Sequence, residues 1–287
     1  MILDAHCHAW TRWPYRPAVP DPGRGSAANL LWEMERNGVG RAVVICAGID
    51  GNPDNAADVA AEAARSDGRL VPFADFDCRW HETHHAPGAP GRLAALLDRF
   101  PGLRGVTHYL DEDAPAGWLL SEEGLACLAL LERTGLVLSL ATGPAQAEAV
   151  AEAAARVPRL PILVHHLWRV PAGDEAALAR VARVATGRPN LFLKLSGFGY
   201  AVAEGWDFPL PGAQAVARAL AAAFGPDRLL WGSDWPVCTR YMTHRQALEI
   251  VRRHGPALPP AAMEAVLGGT MARLLEGWRP DRGRPGA

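Results

Sequence analysis

Two imidazoles stand two residues apart at His6 and His8, where a short apolar run ends in ILDAHCHAW. Side chains at i and i+2 of a strand point to the same side. The pair can therefore converge on one ion, each giving a nitrogen at roughly 2.0–2.1 Å, as zinc prefers. Taken alone, a structural, hydrogen-bonded pair is the better account. Two later segments change that. LPILVHHLW ends in His165 and His166, neighbours that face opposite ways, so one of them is expected to reach a shared pocket. LLWGSDWPV carries Asp234 just past another apolar run. A buried carboxylate needs a cation or several donors, and one opposite three imidazoles has both.

Other side chains are candidates for holding a substrate. Lys194 interrupts an otherwise apolar run in LFLKLSG, and a buried ammonium is costly unless paired, so substrate binding or an ion pair is expected of it. His108 lies toward the end of GLRGVTHYL and is a second candidate for the pocket. Arg104, at the start of that run, reads equally well as a rim residue at the far end of the strand. HETHH (His81, His84, His85) lies in a Pro/Gly-rich loop and reads as a solvated or substrate-contacting cluster. Among the aromatics Trp10, Trp13, Tyr15, Trp80, Trp206 and Trp235, a few are expected to touch substrate, Trp10 and Trp235 first. There is no GxSxG, and no cysteine sits in a nucleophile motif, which disfavours covalent catalysis.

The elements that must position these residues alternate. Ala-rich helical stretches such as NAADVAAEAARS, SEEGLACLALLERT and AQAVARALAAAF end near glycines (Gly38, Gly68, Gly102, Gly135, Gly187, Gly225), where a left-handed cap suits glycine. Continuous apolar runs follow, as in strands buried on both faces of a parallel sheet. Eight strands are expected near 2–5, 41–47, 70–76, 103–109, 136–141, 161–165, 190–196 and 228–232. This predicts one (β/α)8 barrel domain over residues 1–287, with a doubly wound open sheet as the alternative. No GxGxxG or Walker motif follows the first strand, which removes the nucleotide-binding form of that alternative. The long connections 9–25, 77–91 and 197–212 all follow strands, and in a barrel such loops shape the active site.

Composition is that of a globular chain, with 49% hydrophobic and 21% charged residues among 287. A formal net charge of -2 without a Lys/Arg stripe argues against nucleic acid or an anionic membrane as partner. No basic segment and apolar run precede Asp4, and no stretch approaches about 18 uninterrupted apolar residues, so neither a signal peptide nor a membrane span is expected. Five scattered cysteines fit reduced thiols in a cytoplasmic protein. The expected partner is a small-molecule substrate, with a homodimer left open.

DAHCHAW, LVHHLW, LFLKLSGFGY and RLLWGSDWPV, in that order and across nearly the whole chain, resemble the amidohydrolase superfamily. More narrowly, they resemble its amidohydrolase-2 branch of sugar lactonases, pyrone-dicarboxylate lactonase and non-oxidative decarboxylases. The resemblance implies a (β/α)8 barrel with His6, His8, a later-strand histidine and Asp234 in the active centre. His166 stands where the family places that histidine, with Trp168 in place of the usual small residue. LVLSLATG carries no His or Lys, so the bridge of binuclear members is absent and one divalent ion, zinc first, is expected. Some lactonases of the branch work without metal, and a metal-free form stays open. Arg104 matches a Gly-x-Arg segment that can face a substrate carboxylate, and the KLSG segment supports a substrate role for Lys194. The implied reaction is opening of a sugar-acid or carboxylated lactone by activated water, with Asp234 as base and His166 assisting. A metal-dependent decarboxylase is the alternative reaction. A non-catalytic binding barrel is the alternative of another class.

Overall fold

The computed structural model describes residues 1–16, 18–110 and 116–277. Eight strands lie side by side in chain order, every neighbouring pair parallel. They are β1 (Ile2–Cys7), β2 (Val39–Cys46), β3 (Leu70–Asp75), β4 (Gly105–Tyr109), β5 (Val137–Ala141), β6 (Ile162–Val164), β7 (Leu191–Leu195) and β8 (Leu229–Trp231). Between them run α1 (Ala27–Arg36), α2 (Asn55–Arg65), α3 (Ala89–Arg99), α4 (Glu122–Thr134), α5 (Ala147–Arg156), α6 (Glu175–Ala185) and α7 (Pro211–Phe224). After β8 come α8 (His244–Arg252), α9 (Pro260–Glu264) and α10 (Thr270–Gly277). This is a (β/α)8 barrel. No helix among the described residues is long and apolar enough to cross a membrane.

The helices start where side chains satisfy free backbone N–H groups. Ser26, Ser121, Asp174 and Thr243 accept from the amides of Asn29, Gly124, Ala177 and Gln246. Gly135 ends α4 at φ 71°, a conformation that disfavours a side chain. Gly102 departs from the expected pattern. It is not left-handed, because α3 ends earlier, at Phe100, and the turn before β4 needs no such residue.

Two cores result from strands buried on both faces. Leu3, Ala5, Val43, Ile45, Phe73, Leu163, Phe192 and Leu230 fill the barrel, while the opposite strand faces pack under the helices. In β1 the alternation changes phase. Asp4 lies opposite Ala42 but Cys7 lies opposite Val44, so three steps on β1 match two on β2. This bulge lets Leu3 and Ala5 face the barrel core and still turns His6 and His8 inward, with Cys7 in the outer core. All five cysteines are free and buried.

Candidate active site

At the C-terminal ends of the strands the barrel opens into a cavity of about 490 Å³. Its floor carries His8, His166 and Asp234. The seam between β1 and β8 builds much of this floor. Asp234 N donates to His6 O at 2.8 Å and His8 N donates to Trp235 O at 2.6 Å. Gly232 makes the approach possible, since a Cβ there would lie 2.7 Å from His6 Cβ. Asp234 itself is left-handed, φ 58°, a conformation Asp tolerates better than most residues.

After β6 the chain enters an unusual turn. His166, Leu167, Trp168 and Arg169 all have positive φ, between 53° and 56°, and none is glycine. Each such residue costs about 1–2 kcal/mol, and strain of this kind concentrates at functional sites. The turn sends the paired histidines different ways. His166 reaches the cavity, while His165 turns down into the barrel, where its Nε2 lies 2.7 Å from Ser139 Oγ.

The ring nitrogens and the carboxylate converge. Asp234 Oδ1 lies 3.5 Å from Nε2 of His6, 3.5 Å from Nε2 of His8 and 3.9 Å from Nε2 of His166. Ligand atoms of His6, His8 and Asp234 fall within 4.8 Å of one another, and so do those of His6, His165 and His166. Outer partners aim two of the rings. His8 Nδ1 donates to Ile45 O at 3.0 Å, and His166 Nδ1 lies 3.0 Å from Ser196 Oγ. Trp10 stacks on His8 with ring centres 4.7 Å apart. His6 Nε2 and both Asp234 oxygens are buried without a hydrogen bond. Orphaned donors aimed at one point, with their outer nitrogens tied down, are what a divalent ion of the zinc type requires. These residues fit such an ion.

Electrostatics keep His6, His166 and Asp234 in their ligating forms. Burial drives His6 well below its ordinary pKa, and Lys194 adds to that. Burial likewise takes His166 down to about 4, against the pull of Asp234. For Asp234, burial pushes upward, but His166, His8 and Tyr200 outweigh it and hold the carboxyl below its ordinary value. At neutral pH the result is a neutral His6 and a neutral His166 beside an ionised Asp234.

Several residues expected at the cavity lie elsewhere. Arg104 precedes β4 and is exposed at the opposite end of the barrel, beside Arg41 and Pro101. His108 faces outward, because Gly105 and Tyr109 occupy the inner face of β4. Its Nδ1 donates to Phe76 O at 2.9 Å, its Nε2 lies 3.3 Å from His85 Nε2, and Trp118 stacks on it. Lys194 does point inward but sits below the floor, fully buried, 3.0 Å from His6 Nδ1 and 2.6 Å from Ser139 Oγ. Burial lowers its pKa to about 7, so it is only partly protonated at neutral pH. Trp10 supports His8 from outside the cavity, its Nε1 donating to Ala47 O. Trp235 is packed in the outer core. Trp206 is 76% exposed and does not line this cavity.

The cavity wall is instead made of Tyr15, Trp80, Tyr109 and Tyr200, with three guanidinium groups, Arg79, Arg169 and Arg240. Arg169 lies over the Tyr200 ring and Arg240 over the Tyr15 ring. Sequence reasoning passed over all three arginines. Their only signal was position, each in a connection that follows a strand, after β3, β6 and β8.

A family model described as Amidohydrolase matches residues 3–277. The chain belongs to the amidohydrolase family. This amidohydrolase is an enzyme of hydrolase type. It is 29% identical to an L-fucono-1,5-lactonase of Burkholderia multivorans over 94% of both chains. A match at 30% identity to an L-fucono-1,5-lactonase of Burkholderia ambifaria spans 52% of this amidohydrolase and 51% of that protein. The 4-sulfomuconolactone hydrolase of Rhizobium radiobacter is 27% identical over 81% of this chain and 75% of its own. Among solved structures, an amidohydrolase from Burkholderia multivorans with bound zinc superposes with a TM-score of 0.77 at 23% identity, covering 96% of this chain and 99% of that one.

Proposed function

We propose that this amidohydrolase is a lactonase whose substrate carries an acidic substituent, with His6, His8, His166 and Asp234 holding one divalent ion, zinc by the character of the donors. The observation that carries the reading is the composition of one cavity. Its floor presents an ionised Asp234 facing the imidazoles of His6, His8 and His166, and its wall presents Arg79, Arg169 and Arg240. The named activities of the lactonase relatives support the reaction class.

The chemistry follows from the residues. A guanidinium on the wall holds the substrate carboxylate and orients the ring, with its ester carbonyl over the imidazole floor. Asp234 accepts a proton from the attacking water, whose oxygen adds to the carbonyl carbon. A bound divalent ion would supply Lewis-acid stabilisation of the developing oxyanion. When the ring C–O bond breaks, Asp234 returns its proton to the departing alkoxide oxygen, leaving a hydroxy acid and a regenerated carboxylate. The tyrosines and Trp80 give the ring an apolar wall and limit competing water.

A substrate panel tests this. Neutral sugar lactones, carboxylated or sulfonated lactones and hydroxybenzoate-type acids would be followed by proton release and by CO2 release. Acidic lactones should open with the highest kcat/KM. Arg169→Met should raise KM for them by about 10–100-fold, the worth of one charge-assisted hydrogen bond of about 1.5–3 kcal/mol, and should leave neutral lactones little affected. CO2 release without lactone opening would point to the decarboxylase chemistry. Equal turnover of neutral and acidic lactones would remove the role given to the arginines.

A further inference from the structure

The carboxylate of Asp4 sits at the seam where the barrel closes. Its Oδ1 accepts from His6 N at 3.0 Å and from Ser233 N at 2.9 Å. One oxygen thus binds the backbone of β1 at the first histidine and the backbone after β8 at the residue just before Asp234. Asp4 is fully buried, and its other oxygen makes no hydrogen bond. The nearest imidazole nitrogen to that oxygen, Nε2 of the equally buried His244, stands 3.7 Å away, and neither ring nitrogen of His244 is hydrogen-bonded. A buried carboxylate served this incompletely is a poor source of stability. Its place is better accounted for by what its bonded oxygen holds. The β1 bulge falls here, and Gly232 brings β8 against His6 with no side chain between them. Ordinary ladder pairing is therefore interrupted at the point where two centre residues must keep their separation.

We infer that Asp4 is a positioning residue that acts through His6 and Asp234: it latches β1 to the end of β8 and so fixes the 3.5 Å approach of His6 Nε2 to Asp234 Oδ1. It does not touch substrate, and the inference holds whichever ester the centre hydrolyses. The latch requires an acceptor oxygen more than it requires a charge, which sets Asn apart from Ala as a replacement.

The experiment compares Asp4→Ala and Asp4→Asn with the wild type in three measurements: amide hydrogen exchange at His6 and Ser233, zinc affinity by competition with a chromophoric chelator, and kcat against KM. In folded Asp4→Ala both amides should exchange faster. Zinc should bind about 10–100-fold more weakly, as expected when a group supporting a ligand is removed, and kcat should fall with KM little changed. Asp4→Asn should recover most of each loss. An Ala variant that melts earlier yet keeps wild-type zinc affinity and kcat would reduce Asp4 to a scaffold residue and overturn the inference. So would an Asn variant as impaired as the Ala variant. Should Asp4→Ala not fold, Asp4→Asn decides alone. An amide oxygen is a weaker acceptor than a carboxylate, so exchange must quicken and zinc affinity must fall measurably, and no change in either would overturn the latch.

Discussion

Replacing Asp234 by Asn separates the chemistry from the architecture. The substitution keeps the shape and suits the left-handed backbone at φ 58°, which Asn also tolerates. No backbone amide is lost as a partner, because none donates to either carboxylate oxygen. A turn-capping role is therefore already absent, and the fold should survive. The cost to stability has a definite sign. The folded state holds the Asp234 carboxyl below its ordinary value, so it favours the carboxylate over a neutral group. That contribution is complete above the unfolded pKa and is lost as pH falls through the folded one. Asp234→Asn should melt somewhat below the wild type at neutral pH, and the gap should close in acid. The effect on turnover should be far larger. Loss of a general base costs about 10²–10⁴ in rate, or about 2.7–5.4 kcal/mol in the barrier. The assay is proton release on the best lactone of the panel, with circular dichroism and thermal melts at neutral and acid pH. A folded variant keeping more than about a tenth of wild-type turnover lies outside the general-base range and would refute the role. A melting gap that widens in acid would refute the electrostatic account.

Two further outcomes follow from the geometry. His108 is fully buried and burial lowers its pKa from 6.5 to about 4, so the unfolded chain takes up a proton in that window that the folded chain refuses; stability should fall as pH drops from 6.5 toward 4, by about 1.4 kcal/mol per pH unit for this residue, and urea unfolding of His108→Asn across the window should show a slope shallower by about one proton, parallel slopes counting against it. Gly232→Ala sets a Cβ 2.7 Å from His6 Cβ and 3.1 Å from His6 N, against backbone that cannot swing aside; a loss of about 1–3 kcal/mol in denaturant unfolding, with weakened turnover, is expected, and a wild-type midpoint would show that the seam is looser than described.

The centre was legible where chemistry and strand position coincide. His6 and His8, the Asp past the last strand and the alternation of eight strands were readable because each is a local pattern. What the sequence left open was phase. Alternation says that His108 and Tyr109 face opposite ways but not which faces in, and a glycine at 105 that makes room for Phe73 decides it. Arg104 stands at the start of β4, so its place at the rim was readable from position, and only the family segment pointed it toward substrate. The bulge in β1 has no local signature, and it is what turns His6 inward after Ala5. A buried Lys194 calls for partners, and the ones it has, His6 and Ser139, lie on other strands. Arg79, Arg169 and Arg240 come together only through the convergence of three separate loops.

The left-handed run from His166 to Arg169 sets two selective pressures against each other. A glycine at 169 would adopt the same backbone without the side-chain penalty of about 1–2 kcal/mol, so improvement under heat has an open route there. That route removes one of the three guanidinium groups from the cavity and the cation resting on Tyr200. Thermal endurance and, on the function proposed above, preference for an acidic substrate are thereby drawn from a single codon, and a lineage adapting to warmth at this position would lose part of that preference.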